Sequence, residues 1–227
     1  MRFLRSPFLT LLLASFILVS CRSAGEFSRE PEALIDRSAL TFKSMMSDPQ
    51  YPGLVDLATR AKAVIIVPNL GRGAFLIGGR LGNAVMVIRD EQGSWSPPAF
   101  YTLGGLSFGL QIGGQTSEMV ITVMTDKGLN AVMERQVTLG GDAGLAIGEL
   151  GKGVNAATGL GLNADMYAFA RSEGLFVGVS LQGSVITPRN TWNKQLYGVD
   201  ATPKGILVDR INTSTDPSIG NIISVMP

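Results

Sequence analysis

The chain has 227 residues, of which 45% are hydrophobic and 16% charged, enough apolar content to bury a core of its own. It has no histidine and a single cysteine, which excludes a Ser-His-Asp triad, a Cys-His pair, histidine-ligated metals and an intrachain disulfide. A formal net charge of +1 leaves no electrostatic footprint for nucleic acid, and 28 glycines without a fixed period point to tight turns and close strand packing.

Residues 1–20 place Arg2 and Arg5 before an apolar run from Phe8 to Val19 and read as a secretory signal peptide. About a dozen apolar residues are too few to span a bilayer comfortably. The run closes in Leu18-Val19-Ser20-Cys21, which resembles the bacterial lipobox. That resemblance implies cleavage before Cys21, lipidation of Cys21, and a polar lipidated tether over residues 21–30. Arg22 stands where an inner-membrane retention signal has aspartate, so the resemblance further implies an outer-membrane anchor with the protein facing the periplasm.

From Pro31 the apolar spacing turns helical. Ile35, Ala39, Phe42 and Met46 form a narrow stripe, Pro31 suits a first turn, and Asp48-Pro49 ends the segment. Such a stripe either packs on the protein's own sheet or meets a membrane. A second helix is expected over Pro52 to Ala63. The period then falls to two, with strands expected at 63–68, around Phe75, Ile77 and Leu81, and at 174–185. "ADMYAFARSEG" would turn near Arg171–Gly174 into a hairpin with the last of these. Between them Asp126 is expected to cap a short helix carrying Leu129, Val132 and Met133.

Three motifs invite functional readings. Gly105-Leu106-Ser107-Phe108-Gly109 matches G-x-S-x-G, yet apolar residues alternate straight through residues 105–113, which predicts one strand rather than a nucleophile elbow. The same glycines, spaced four apart, would suit a membrane helix, but Gln111, Gln115 and Ser117 break the apolar run. Gly151-Lys152-Gly153-Val154-Asn155-Ala156 mimics a dinucleotide fingerprint without the strand that should lead into it. The carboxylates Asp126, Asp142, Glu149, Asp165 and Glu173 fall in no recognisable catalytic pair. No catalytic residue, metal or cofactor is expected.

Taken together, "AKAVIIVPNLGRGAFLIGGRLGNAVMVIRD", "GSWSPPAFYTLGGLSFGLQIGGQ", "RSEGLFVGVSLQGSV" and Tyr197-Gly198 resemble the successive blocks of the SYLF domain. The resemblance assigns residues 31–210 to that domain and leaves 211–227 as a C-terminal tail. The alternating strands predict an α+β fold, a curved antiparallel sheet or barrel-like core with two N-terminal helices and short additional helices. SYLF domains occur in bacterial lipoproteins and in eukaryotic actin-patch proteins, and the resemblance implies binding to membrane lipids, anionic phospholipid included. It makes Ile35, Phe42 and Met46 an insertion face, and Lys43, Arg60, Lys62, Arg72 and Arg80 headgroup contacts. The expected function is a non-catalytic lipid-binding lipoprotein of the bacterial outer membrane. A structural or protein-interaction module of the envelope is the alternative.

Overall fold

The computed structural model describes residues 30–75, 77–107, 113–134, 136–147, 164–173, 181 and 183–227. The signal segment, Cys21, the tether to residue 29 and the Gly151–Ala156 motif lie outside them. No helix among the described residues is long and apolar enough to cross a membrane.

Helix α1, Glu30–Met46, carries Pro31 in its first turn and turns Leu34, Ile35, Ala39, Phe42 and Met45 inward. It stops short of Pro49, where the Asp48 carboxylate accepts a hydrogen bond from the Gln50 amide at 2.9 Å. Helix α2, Pro52–Arg60, buries Leu54, Leu57 and Ala58. It ends three residues earlier than the sequence suggests. Ala61 becomes extended, and the Lys62 amide already donates to the Val123 carbonyl at 2.9 Å, so this stretch starts the sheet.

The strands are β1 Ala63–Phe75, β2 Ile77–Ile88, β3 Ala99–Ser107, β4 Gly113–Val123, β5 Val137–Thr138, β6 Leu145–Ile147, β7 Met166–Glu173 and β8 Val185–Pro188. They form one eight-stranded sheet in the order β5-β8-β3-β2-β1-β4-β7-β6. Every pairing is antiparallel except β6 with β7. Helix α3, Asp126–Met133, follows β4, and α4 Asn190–Tyr197, α5 Pro203–Leu207 and α6 Pro217–Ser224 close the chain. The fold is α+β, with a curved sheet preceded by two helices.

The curvature follows from connectivity. Strands β5 and β6 sit at opposite ends of the order but are joined through residues 139–144 alone. Laid flat at about 4.8 Å per strand, the two edges would lie roughly 34 Å apart. Seven residue steps reach at most about 25 Å fully extended. This link is not extended, because the Gly140 amide donates to the Ala143 carbonyl at 2.9 Å and Leu139 bridges Ala143. The sheet therefore curls until its edges approach.

Central strand β1 contains Pro68, which has no amide to give a ladder. Its pairing with β2 slips between Ile66 and Asn69, and its pairing with β4 slips between Val67 and Leu70. One extra residue of β1 is thus absorbed at the same place on both sides, a bulge around Pro68. Before it, Val64 and Ile66 face the helix layer while Ile65 and Val67 face the inside of the curl. Beyond it the parity is reversed, so Leu70 lies on the inner side.

Two local expectations are corrected by the register. The single strand over 105–113 is two antiparallel strands, since Ser107 ends β3 opposite Gly78 while Gly113 opens β4 opposite Ala74. β7 also runs on through Glu173 beside β4, past the turn expected near Arg171, and most of the strand expected over 174–185 lies outside the described residues. Alternation marks the faces of a strand and says nothing about which strand lies next to it. Residues 211–227, expected as a tail, hold α6, with Ile219 and Ile222 in the core.

Phe42 is wholly buried in that core. Phe42→Ala should therefore lower stability by about 3–5 kcal/mol in urea unfolding. A variant as stable as the parent would show that α1 does not bear on the sheet.

Candidate functional site

The helix layer is pinned to the sheet by a polar clasp. The Thr41 hydroxyl donates to Glu118 of β4 at 2.8 Å. Arg171 of β7 grips the same carboxylate through Nε at 2.8 Å and through Nη2, and both terminal nitrogens donate to Ser44 Oγ at 3.1 Å. Asp48 lies 3.8 Å from Arg171. The Tyr51 hydroxyl donates to the Ala170 carbonyl at 3.1 Å, and its ring meets Phe169 edge-on. Burial, then the nearby Asp48 carboxylate, holds the Tyr51 phenol above its ordinary pKa. Separate positions drawn from three elements make this clasp, so no local spacing announces it.

Ile35 and Phe42 are fully buried against the sheet and offer no insertion face in this fold, while Met46 is half-buried. The opposite side of α1 exposes Arg37, Leu40 and Lys43, and Leu40 is 69% exposed. Neither Arg37 nor Lys43 forms an ion pair among the described residues. By contrast, Arg60 pairs with Asp56 at 2.5 Å and Lys62 with Asp126 at 2.7 Å. Arg72 of β1 is paired in register with Arg80 of β2, and Arg80 is buried. The structure thus splits the expected basic set between the helix surface (Lys43), two surface ion pairs (Arg60, Lys62) and the buried Arg80.

The acids serve structure. Thr125, not Asp126, is the N-cap of α3, and its hydroxyl accepts from the Gly128 amide at 3.0 Å. The same hydroxyl donates to Asp165 at 2.6 Å. Asp165 also receives the Gly144 amide at 2.9 Å and the Lys127 ammonium at 3.1 Å. Those bonds, Thr125 first and then Gly144 and Lys127, hold the Asp165 carboxyl below the usual carboxylate range against the opposing effect of burial. Ser107 is the last residue of β3, opposite Gly78, and the remainder of the G-x-S-x-G motif, Phe108 and Gly109, lies outside the described residues. Among the described residues no group of three His, Cys, Asp or Glu could hold a metal.

The described residues thus form a curled antiparallel sheet with a helix layer clasped to it. Residues 104–226, more than half of the chain, match the family described as Ysc84, Las17-binding protein actin regulator, and the chain belongs to that family. It is similar to an SH3 domain-containing protein of Schizosaccharomyces pombe, 37% identical over 157 residues, covering 67% of this chain and 36% of that one. Protein YSC84 of Saccharomyces cerevisiae is 34% identical over 164 residues, 70% of this chain and 35% of that one. SH3 domain-containing YSC84-like protein 1 of Homo sapiens is 34% identical over 149 residues, 65% of this chain and 43% of that one. The chain spans less than half the length of these curated relatives.

The matches overturn the bacterial setting. These relatives are yeast and human proteins in a family of actin regulators, so the outer-membrane lipoprotein, the periplasmic location and the envelope-module alternative are all withdrawn. That reading rested on Leu18–Cys21. Four residues at the end of an apolar run recur by chance far more readily than 34% identity across 149 positions.

The Asp165 bonds make a pH prediction. Folding favours the ionised carboxylate, so its stabilisation is complete above the unfolded pKa of about 3.9 and is lost as pH falls through the lower folded value. Asp165→Asn should be less stable at neutral pH and show a shallower loss of stability below about pH 4. Urea midpoints measured across that range check it, and parallel acid limbs for the two proteins would refute it.

Proposed function

We propose that the chain is a binding module of actin-regulatory type, and that the outer face of α1 brings it to anionic membrane lipid. Membrane lipid is the partner class that the SYLF resemblance implies. The observation that carries the reading is the exposed Leu40 between Arg37 and Lys43, two cations without ion pairs among the described residues. Basic residues near an anionic surface contribute about 1 kcal/mol each. Burying one leucine adds about 1.5–3 kcal/mol. The sum describes a weak, reversible contact suited to a module that shares the work with other binding segments.

This differs from insertion of the Ile35 and Phe42 stripe, which would first have to be pulled out of the core. A second reading is contact with a protein partner of actin regulation, favoured by the description of the family as Las17-binding. Both readings use a surface rather than a reaction centre.

Flotation with phosphatidylcholine vesicles, with and without phosphatidylserine, separates the two. Binding should require phosphatidylserine, weaken with salt, and fall severalfold in Lys43→Glu and in Leu40→Ser. Both variants should keep the parent's melting temperature, since both side chains are exposed. If the chain ignores both vesicle types but sediments with actin filaments, the protein-partner reading replaces the lipid one.

A further inference from the structure

The helix layer leaves part of its own sheet face bare. Along β2 the helix-facing positions are Val87, Val85, Asn83 and Leu81, and Val85 is paired with Phe100 of β3, whose ring meets Trp192 of α4 edge-on. Val87 and Val85 are fully buried, Asn83 is half-buried, and Leu81 is 66% exposed. Cover by helices therefore ends at Asn83. Leu81 lies between Gly71 of β1 and Gly104 of β3, so no side chain shelters it from either neighbouring strand. It leans over Gly104, where a Cβ would lie 3.8 Å from its Cδ1.

The row at which cover ends is polar. Register aligns Asn69 of β1, Asn83 of β2, Thr102 of β3 and Thr187 of β8. Arg189 donates from Nη1 to Asn83 Oδ1 at 2.6 Å, and its guanidinium stacks 3.8 Å from the centre of the Trp192 ring. Its Nε is shielded from water and has no acceptor. The cation is thus fixed by an amide and a ring, neither of which carries a compensating charge. Arg189 forms no ion pair among the described residues. Glu118, the carboxylate that β4 places opposite the Pro68 bulge, is already held by Arg171.

We propose that this open strip is the docking surface for an acidic amphipathic helix of a partner protein. A carboxylate of that helix pairs with Arg189, and a leucine-like side chain one turn away rests on Leu81 and the Gly104 ledge. The spacing fits, since positions two apart on a strand lie about 7 Å apart and side chains four apart on a helix about 6 Å. Helices cover the rest of this face, so the partner continues a layer that the described chain leaves unfinished. An arginine pre-set by stacking loses little freedom on pairing, and its planar fork matches a carboxylate. A flat bilayer fits less well, because Leu81 stands on the sheet at the foot of helices about 10 Å thick. The surface does not rest on the lipid contact proposed for the outer side of α1.

The test is an anisotropy titration of the full chain with a fluorescein-labelled helical peptide bearing glutamate and leucine four residues apart on one face. The peptide should bind, weaken with salt, and lose about tenfold or more in affinity when its glutamates are replaced by lysine. Arg189→Gln should weaken binding about tenfold and Leu81→Ser a few-fold, with vesicle flotation unchanged in both. Because Arg189 also packs on Trp192, the deciding variant is Asn83→Asp, which sets a carboxylate against the guanidinium in place of the amide. It should abolish peptide binding while the melting temperature stays at or above the parent's. Leu81→Ser, at an exposed position, decides should Asn83→Asp fail to fold. No binding of the glutamate peptide at millimolar concentration, equal binding of its lysine version, or full binding by folded Asn83→Asp overturns the surface. Loss of flotation in Leu81→Ser with peptide binding intact assigns the strip to a membrane and overturns it as well.

Discussion

Pro68 lacks the one N–H that a central strand needs, and the sheet is arranged around that lack. The chain yields one residue from both ladders at the same point, and every side chain beyond it changes sides. Up to Val67 the strand is apolar on both faces, as a doubly covered strand must be. Beyond the bulge, Leu70 occupies the side previously held by Ile65 and Val67, and Gly71 lies opposite the exposed Leu81 on the other. A single imino acid thus separates a hydrocarbon-filled half of the sheet from a half with charged and small residues.

The first helix illustrates how burial decides between two uses of one amphipathic pattern. Its apolar stripe satisfies the sheet, and its polar margin is pinned by Thr41 and Ser44 to the Glu118–Arg171 pair. Removing the stripe to a bilayer would break that clasp and open the largest part of the core at once. The face that remains outside exposes Leu40 between Arg37 and Lys43, neither of which forms an ion pair among the described residues. The likeness to Ysc84-family actin regulators fits such a surface, because recruitment and assembly depend on contacts that can be released.

Much of this was legible in the residues alone, and the failures have a common physical origin. Local signals located α1 within one residue, placed α2, and marked 63–68 as a strand, because caps, prolines and short-period hydrophobicity are properties of neighbours in the chain. What could not be read was pairing. β7 runs past the turn expected near Arg171 because it pairs with β4, a choice made by a distant segment. The candidate site shows the same division. Arg72, Arg80, Lys43, Arg60 and Lys62 stood out as cations, but nothing local says that Asp56 and Asp126 neutralise two of them or that a bulge aligns two others. The clasp was invisible for that reason too, since Glu118 and Arg171 are 53 residues apart. The assignment to a bacterial envelope failed differently. A short terminal motif was allowed to set the context for a domain whose identity is spread over its whole length.

The two ends of the described chain meet. Asn221 of α6 donates to Asp36 of α1 across 185 residues, and the Pro227 carbonyl accepts from Trp95 and Arg89, with the Arg89 guanidinium stacked 4.6 Å above the Trp95 ring. A domain closed in this way completes its packing only when residues far apart in the sequence are both in place. Its first helix rests on β4 and β7 through the clasp but completes its outer edge only with α6, and the curled sheet is likewise built from long-range pairings. Closure over this sequence distance slows folding relative to a domain built from local contacts. Loss of α6 would therefore be felt at α1, through the bond between Asn221 and Asp36.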